Sequence, residues 1–324
     1  LEIREEFIMS FSLINNVFYA LPKGIPITEG FTLSFYSLCI LTGIIVAYVY
    51  GIKVYKSIGI SENEIFWGVV IGVMLGILGA RLYYVAYEWD NYRDNPITAI
   101  TGITRGGLAI HGGIIAAAIW APIYCKIKKL SLLKVLEGVA IGLLIGQIFG
   151  RWGNFFNQEA HGGLVSREFL EAIWVPRFII NNMYIVGGRV GDGTYATGYF
   201  HPTFYYEMLW NLAGLFLIIM IRKLWKKYWV GDSVAYYLIW YGFGRFFVEM
   251  LRTDPLMTNI FGIELKQAQL ISIAMFAIGI ILLVLRHVFK YKPQSFIEAV
   301  EEEKQKQLAL ANRASSEEAV EEKV

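Results

Sequence analysis

"IFWGVVIGVMLGILGARLYYVAY" occupies residues 65–87 and carries no charged side chain before Arg81. A helix crosses the roughly 30 Å hydrocarbon layer of a bilayer with about 20 mainly apolar residues, so this stretch reads as a membrane span. On either side of it, comparable runs lie near 33–52, 107–125, 132–150, 203–221, 234–251 and 268–288. With 56% of the 324 residues hydrophobic and 17% charged, the chain is too apolar for a soluble domain. The expectation is an all-α polytopic membrane protein, a bundle of about seven transmembrane helices with a small extracytoplasmic head containing short strands.

The net charge of +2 hides an asymmetry. Lys53 and Lys56 follow the first span, and Lys126, Lys128 and Lys129 the third; Arg222, Lys223, Lys226 and Lys227 follow the fifth, and Arg286, Lys290 and Lys292 the seventh. The positive-inside rule makes those ends cytoplasmic, which sets the N-terminus outside and the C-terminus inside. No cleavable signal peptide is expected, and Met9 is a candidate start that would make the residues before it an addition. The organisation expected is an N-terminal extracytoplasmic segment (1–30), four spans (31–158) with a surface arm (88–106), an extracytoplasmic head (159–201), three further spans (202–290) and a charged cytoplasmic tail (291–324). The head contains "AIWVPRFII" and "MYIVGG", which read as β-favouring runs broken by Gly and Asp. Cys39 and Cys125 fall within or at the end of spans and read as small apolar residues. The tail reads as a solvated helix fraying at its end.

Two spans carry small residues every four positions: Gly68, Gly72, Gly76 and Ala80, then Gly138, Gly142, Gly146 and Gly150. Such stripes let another backbone approach closely. Each ends in an arginine, Arg81 and Arg151. A charge near the bilayer centre costs roughly 2.5–3.5 kcal/mol on insertion scales, so polar groups within spans point to function. Those here are His111 in "GLAIHGG", Arg151 and Asn154 in "GRWGNFFNQEAHG" (150–162), His201 and Glu207 in "HPTFYYE", and Tyr241, Arg245, Glu249 and Arg252 in "YGFGRFFVEMLR". The last four share one face of a helix. Arg245 and Glu249 could instead form a simple intrahelical pair, and Arg151 and Arg252 could snorkel to the headgroups. Taken together, forked guanidinium donors suit phosphate oxygens. Asn154 and Asn157 can donate to ester or phosphate oxygens, Glu159 can orient an arginine or a hydroxyl, and Gly162 leaves room for a ligand. Such a site fits an anionic phospholipid.

"GRWGNFFNQEAHG" resembles the signature of the prolipoprotein diacylglyceryl transferases; "HGG" at His111, "HPTFYYE", "YGFGRFFVEMLR" and Tyr36 resemble other features of that family in the right order. The similarity runs from about residue 30 to 288. It implies a seven-helix enzyme of the bacterial inner membrane with its active site toward the outside. It also implies transfer of the diacylglyceryl group of phosphatidylglycerol to the lipobox cysteine in the signal peptide of a preprolipoprotein, with release of glycerol phosphate. By motif, His111, Arg151, Tyr241 and Arg245 are the catalytic candidates. Tyr36, Arg81, Asn154, Asn157, Glu159, Gly162, His201, Glu207, Glu249 and Arg252 are the substrate-binding candidates, with Arg151 shared between the two sets. No metal, cofactor or nucleic acid is implied; the partners are the two substrates and membrane lipids. Trp152 inside the signature and the long charged tail depart from the family pattern.

An anion or lipid transporter is the alternative, although the polar groups gather toward one face and trace no path across. A structural or receptor-like bundle leaves the signature unexplained, and a phospholipid synthase of the CDP-alcohol class would need a repeated aspartate motif that the chain lacks.

Overall fold

The computed structural model describes residues 21–28, 31–93, 97, 107–191, 193–260, 262–290 and 294–321. In order, the elements are β1 (Gly24–Thr28), β2 (Phe31–Ser34), α1 (Phe35–Ser57), α2 (Glu62–Tyr87), α3 (Ile110–Lys128), α4 (Leu132–Asn157), α5 (Arg167–Ala172), α6 (Arg177–Asn182), β3 (Tyr184–Arg189), β4 (Tyr195–Tyr199), α7 (Thr203–Leu224), α8 (Asp232–Leu251), β5 (Met257–Ile260), β6 (Ile263–Lys266), α9 (Gln267–Val288) and α10 (Phe296–Glu321). The strands form three antiparallel two-stranded ribbons, β1–β2, β3–β4 and β5–β6. Most of the arm expected at 88–106, the candidate start at Met9 and the residues preceding it lie outside the described residues.

Among the described residues six helices are long and apolar enough to cross a membrane: α1, α2, α3, α4, α7 and α9. The remaining expected span, α8, is a helix of 20 residues but is more polar, since Asp232, Arg245, Glu249 and several tyrosines interrupt its apolar run. Broad apolar faces are exposed on the spanning helices, among them Met74, Leu82, Ile114 and Phe216. An outward apolar face matches hydrocarbon surroundings.

The chain divides into two compact units. One comprises Tyr50–Val139, Trp229–Gly231 and Gln294–Val324. Here α2 and α3 cross most closely at Gly79 and Gly112, each of whose Cα atoms faces the other's carbonyl with no room for a Cβ. The expected stripe behaves differently, because Gly68 and Gly72 accommodate the rings of Tyr124 and Trp120 instead of a backbone. Those rings bond back to α2: Tyr124 Oη donates to the Glu64 carbonyl at 2.6 Å and Trp120 Nε1 to that of Gly68 at 3.0 Å. Helix α2 opens with a capping box between Ser61 and Glu64. Helix α10 continues to Glu321, and its first turn buries Phe296 and Ala299.

The other unit comprises Leu1–Val49, Ala140–Tyr228 and Asp232–Pro293. Helices α8 and α9 pack backbone to backbone where Gly242 meets the Ser272 carbonyl and Gly279 meets that of Ala235. Trp210 of α7 and Trp240 of α8 stack at 4.2 Å, and each indole N–H donates to the other's carbonyl at 2.9 Å. That reciprocal pair holds α7 against α8. The head corrects one expectation. "MYIVGG" does enter β3, but "AIWVPRFII" forms no strand and instead spans the end of α5 and most of α6. Ser166 caps α5, Pro176 occupies the N-cap of α6, and Leu170, Ile179 and Ile180 are fully buried. With Phe155, Met183, Ile185, Phe200 and Phe204 they form one apolar cluster that binds the head to the ends of α4 and α7.

Candidate active site

The signature stretch contains the end of a helix: α4 runs past the apolar residues 132–150 and into the signature, as far as Asn157. The backbone then turns through Gln158 (φ 53°) and Ala160 (φ 55°), left-handed conformations uncommon outside glycine. Gln158 Nε2 donates to the Asn182 carbonyl at 2.7 Å, and Asn182 Nδ2 donates to that of Phe155 at 2.8 Å. These amides tie the last turn of α4 to the head.

Helical periodicity sorts the signature by face. Trp152 and Phe155 enter the apolar cluster, Phe156 stacks on Phe35 at 4.8 Å, and Gly153 lies directly under the Tyr36 ring. Arg151 and Asn154, three residues apart, face the opposite way into a ladder of charges.

Glu207 sits at the centre of that ladder. Its side chain is 2% exposed. One carboxylate oxygen accepts from Arg151 Nη2 at 2.5 Å and the other from Arg245 Nη1 at 3.0 Å. Arg245 Nη2 also donates to Glu249 at 2.5 Å, and the Arg252 guanidinium lies 3.9 Å from the same carboxylate. Arg252 in turn forks onto Asp254 through two bonds of 3.0 Å. At the other end Arg151 Nη1 donates to Asn154 Oδ1 at 3.2 Å, and Asn154 Nδ2 to Glu159 at 2.9 Å. The Tyr241 hydroxyl stands in the field of Glu207, Arg151 and Arg245, and that of Tyr36 in the field of Glu159 and Arg151.

Arg151, Asn154, Glu159, Glu207, Tyr241, Arg245, Glu249, Arg252 and Tyr36 therefore converge, from α1, α4, α7, α8 and the residues just past the ends of α4 and α8. Asn157 ends α4 and joins none of these bonds among the described residues. Gly162 serves packing, since a Cβ there would lie 2.7 Å from that of His201 and 2.9 Å from the Leu251 carbonyl. Its N–H donates to the His201 carbonyl, and it forms a bridge with Arg252, so it seats the ladder's last arginine. His201 Nδ1 lies 3.2 Å from the Tyr206 hydroxyl, and burial lowers the pKa of its imidazole. Burial raises the pKa of Asp254, but the bonds and charge of Arg252, together with a backbone hydrogen bond and the nearby His161, outweigh it and leave the pKa lowered.

Arg81 and His111 belong to the other unit. Arg81 is buried; its Nη1 donates to the Gly107 carbonyl at 3.0 Å and its guanidinium lies over the Tyr84 and Tyr92 rings. His111 begins α3 with its ring 5.8 Å from that of Tyr83.

Sequence reading missed three supporting groups. Lys266 Nζ donates to the Glu249 and Met250 carbonyls at the end of α8, Asp254 pairs Arg252, and Gln147 Nε2 donates to the Tyr237 hydroxyl at 2.8 Å. The only signal for Gln147 was its position one turn before Arg151; the other two act from outside the helix they serve.

The model of the family described as "Prolipoprotein diacylglyceryl transferase" matches residues 22–285. The chain is 40% identical over 268 residues to a Staphylococcus haemolyticus protein named phosphatidylglycerol–prolipoprotein diacylglyceryl transferase, an alignment covering 83% of this chain and 89% of the relative. It is 43% identical over 256 residues to a Bacillus cytotoxicus protein of the same name, covering 79% and 88%. A like-named Bacillus mycoides protein is 42% identical over 268 residues, covering 83% and 93%.

Proposed function

The chain belongs to the prolipoprotein diacylglyceryl transferase family, and from that premise we propose that it transfers the diacylglyceryl group of phosphatidylglycerol to the lipobox cysteine of a preprolipoprotein. The observation that carries this reading is the pair of guanidiniums held together on one buried carboxylate, Arg151 and Arg245 on Glu207. Two arginines fixed side by side at a membrane-embedded position suit a phosphodiester, and each guanidinium commits two N–H groups to protein acceptors, keeping donors for a ligand.

The acceptor thiol has an unperturbed pKa of about 8.5, so it needs a base or a positive field near neutral pH. His111, which the motif includes, takes the thiol proton as the base, imidazole being the usual general base near neutral pH; in the alternative the field of Arg151 and Arg245 generates the thiolate and His111 orients the substrate. The thiolate attacks the glycerol carbon bearing the phosphate. The C–S bond forms as the C–O bond breaks, and the electron pair leaves on the phosphate oxygen of glycerol phosphate. Arg151 and Arg245 stabilise that growing charge, while Glu207 and Glu249 hold them in place without competing for the lipid. Tyr241 and Tyr36 line the same position; Asn154 and Glu159 orient Arg151; Arg252, Gly162 and His201 shape the outer rim; Arg81 supports its own helix end.

The positive-inside pattern supports an inner-membrane setting with the N-terminus outside, the C-terminal tail cytoplasmic and the arginine ladder toward the outer face. The same pattern supports the organisation into segment, spans, head and tail with the boundaries given above. The deciding experiment is release of glycerol phosphate from headgroup-labelled phosphatidylglycerol by purified protein with a lipobox peptide. Release that disappears when the peptide cysteine is replaced by alanine supports the reading; release regardless of the cysteine, or none, overturns it.

A further inference from the structure

One helical turn from the ladder, toward the midpoints of α4 and α7, lies a second set of polar groups that the chemistry above does not use. Asn211 follows Glu207 by four residues on the buried face of α7 and is 0% exposed. Among the described residues neither its Oδ1 nor its Nδ2 has a hydrogen-bond partner. Gln147 precedes Arg151 by four residues on α4. Its Nε2 is bound to Tyr237, yet its buried Oε1 is also unpartnered. A buried amide without partners forfeits about 1–3 kcal/mol, and native structures seldom leave one so. The penalty is greater where lipid supplies no water. Of these atoms Asn211 Nδ2 is the donor, and it points to a ligand acceptor that completes it.

Position supplies the identity. Four residues along a helix advance about 6 Å. In a phospholipid whose phosphate sits on Arg151 and Arg245, the glycerol and its acyl esters extend in that direction, toward the helix midpoints. The ester carbonyls are acceptors for an amide N–H. Beside this line on α4, nothing lies within 4 Å of where Gly146 and Gly150 would carry a Cβ, which leaves width for the attached chain.

We propose that Asn211, assisted by Gln147 and Tyr237, reads an acyl ester carbonyl of the lipid donor, so that the enzyme distinguishes diester from diether phospholipids. This rests on the transferase reading. Asn211 Nδ2 donates to the ester carbonyl, and Gln147 keeps the Tyr237 hydroxyl aimed into the same layer. A dialkyl lipid with the same headgroup keeps the bridging oxygen but carries CH2 where the ester has its carbonyl, and so leaves the amide unpaired.

The experiment measures kcat/KM of the full chain in detergent with diacyl and dialkyl phosphatidylglycerol, using a lipobox peptide. Wild type is expected to favour the diester about tenfold or more, the loss of one buried hydrogen bond. Asn211→Leu and Asn211→Asp are each expected to bring the ratio to within about twofold of unity. Equal use of both lipids by wild type overturns the proposal whatever the variants do. A wild-type preference retained in either variant that melts like wild type also overturns it, because the ester is then read elsewhere. Absence of cysteine-dependent release from the diester itself would refute the transferase reading instead, so the two failures are distinct.

Discussion

Replacing Glu207 by Gln tests how the arginine pair is held. The carboxylate accepts one bond from each guanidinium while almost fully buried. Bonds to charged groups contribute about 1.5–3 kcal/mol each. An amide can accept through only one oxygen and turns its NH2 toward the other guanidinium. One bond of the two is lost and a repulsive contact replaces it, so the folded state should lose about 2–3 kcal/mol, below the roughly 3–5 kcal/mol of removing a buried partner outright. A guanidinium displaced by about 1 Å can lower the rate about 100-fold, equivalent to about 2.7 kcal/mol of barrier. The substitution also makes the site one unit more positive, which favours an anionic lipid in the ground state. Glu207→Gln should therefore lower kcat about 100-fold while KM for phosphatidylglycerol stays constant or falls. The assay is labelled glycerol phosphate release across a range of lipid mole fractions in mixed micelles, with melting followed in parallel. A kcat within threefold of wild type, or a KM that rises while kcat is retained, would refute the view that Glu207 positions the arginines and does not itself bind lipid.

Arg245→Lys should lower kcat/KM at least about tenfold, since one ammonium cannot reproduce the fork that spans Glu207 and Glu249; activity near wild type would show that charge alone suffices. Gly153→Ala drives a methyl into the Tyr36 ring and should destabilise the protein by about 1–3 kcal/mol, read as a lower melting temperature in detergent and lost if Tyr36 is also made Ala. The pKa of His201 is depressed in the folded protein, so the unfolded chain takes up the proton first as pH falls. Stability should be constant above about 6.5 and decline below it until the lower folded value is passed; melting profiles of wild type and His201→Gln should diverge in that window and coincide above it. His111→Gln should abolish most cysteine-dependent release near neutral pH, and near-normal turnover would eliminate the base role.

The membrane class, the spans and the polar positions were legible in residues 65–87 and their counterparts because hydropathy is a local property, averaged over about 20 residues. The face shared by Tyr241, Arg245 and Glu249 was legible because helical spacing alone places such side chains together, whereas Arg252, expected on the same face, lies just past the end of α8. The head was misread in part: β-favouring residues in "AIWVPRFII" adopt two short helices, since Ser166 and Pro176 set their starts and burial of Leu170, Ile179 and Ile180 decides the rest. The exact end of α4 was not legible, because the apolar run ends near residue 150 where polarity rises, whereas the helix ends at Asn157, where its last carbonyls are taken by the Gln158 and Glu159 N–H groups and by Asn182 Nδ2.

Everything that depends on neighbours along the chain was thus written in the order of residues: spans, helix faces, and the family to which the motifs belong. Which charges meet was left to the packing of helices. That Glu207 would take Arg151 with one oxygen and Arg245 with the other, that Arg252 would turn to Asp254, and that Asn211 would be buried without a hydrogen-bond partner among the described residues all depend on how the helices come together. Hydrogen bonds act over about 3 Å, and only packing brings side chains from separate helices within that range.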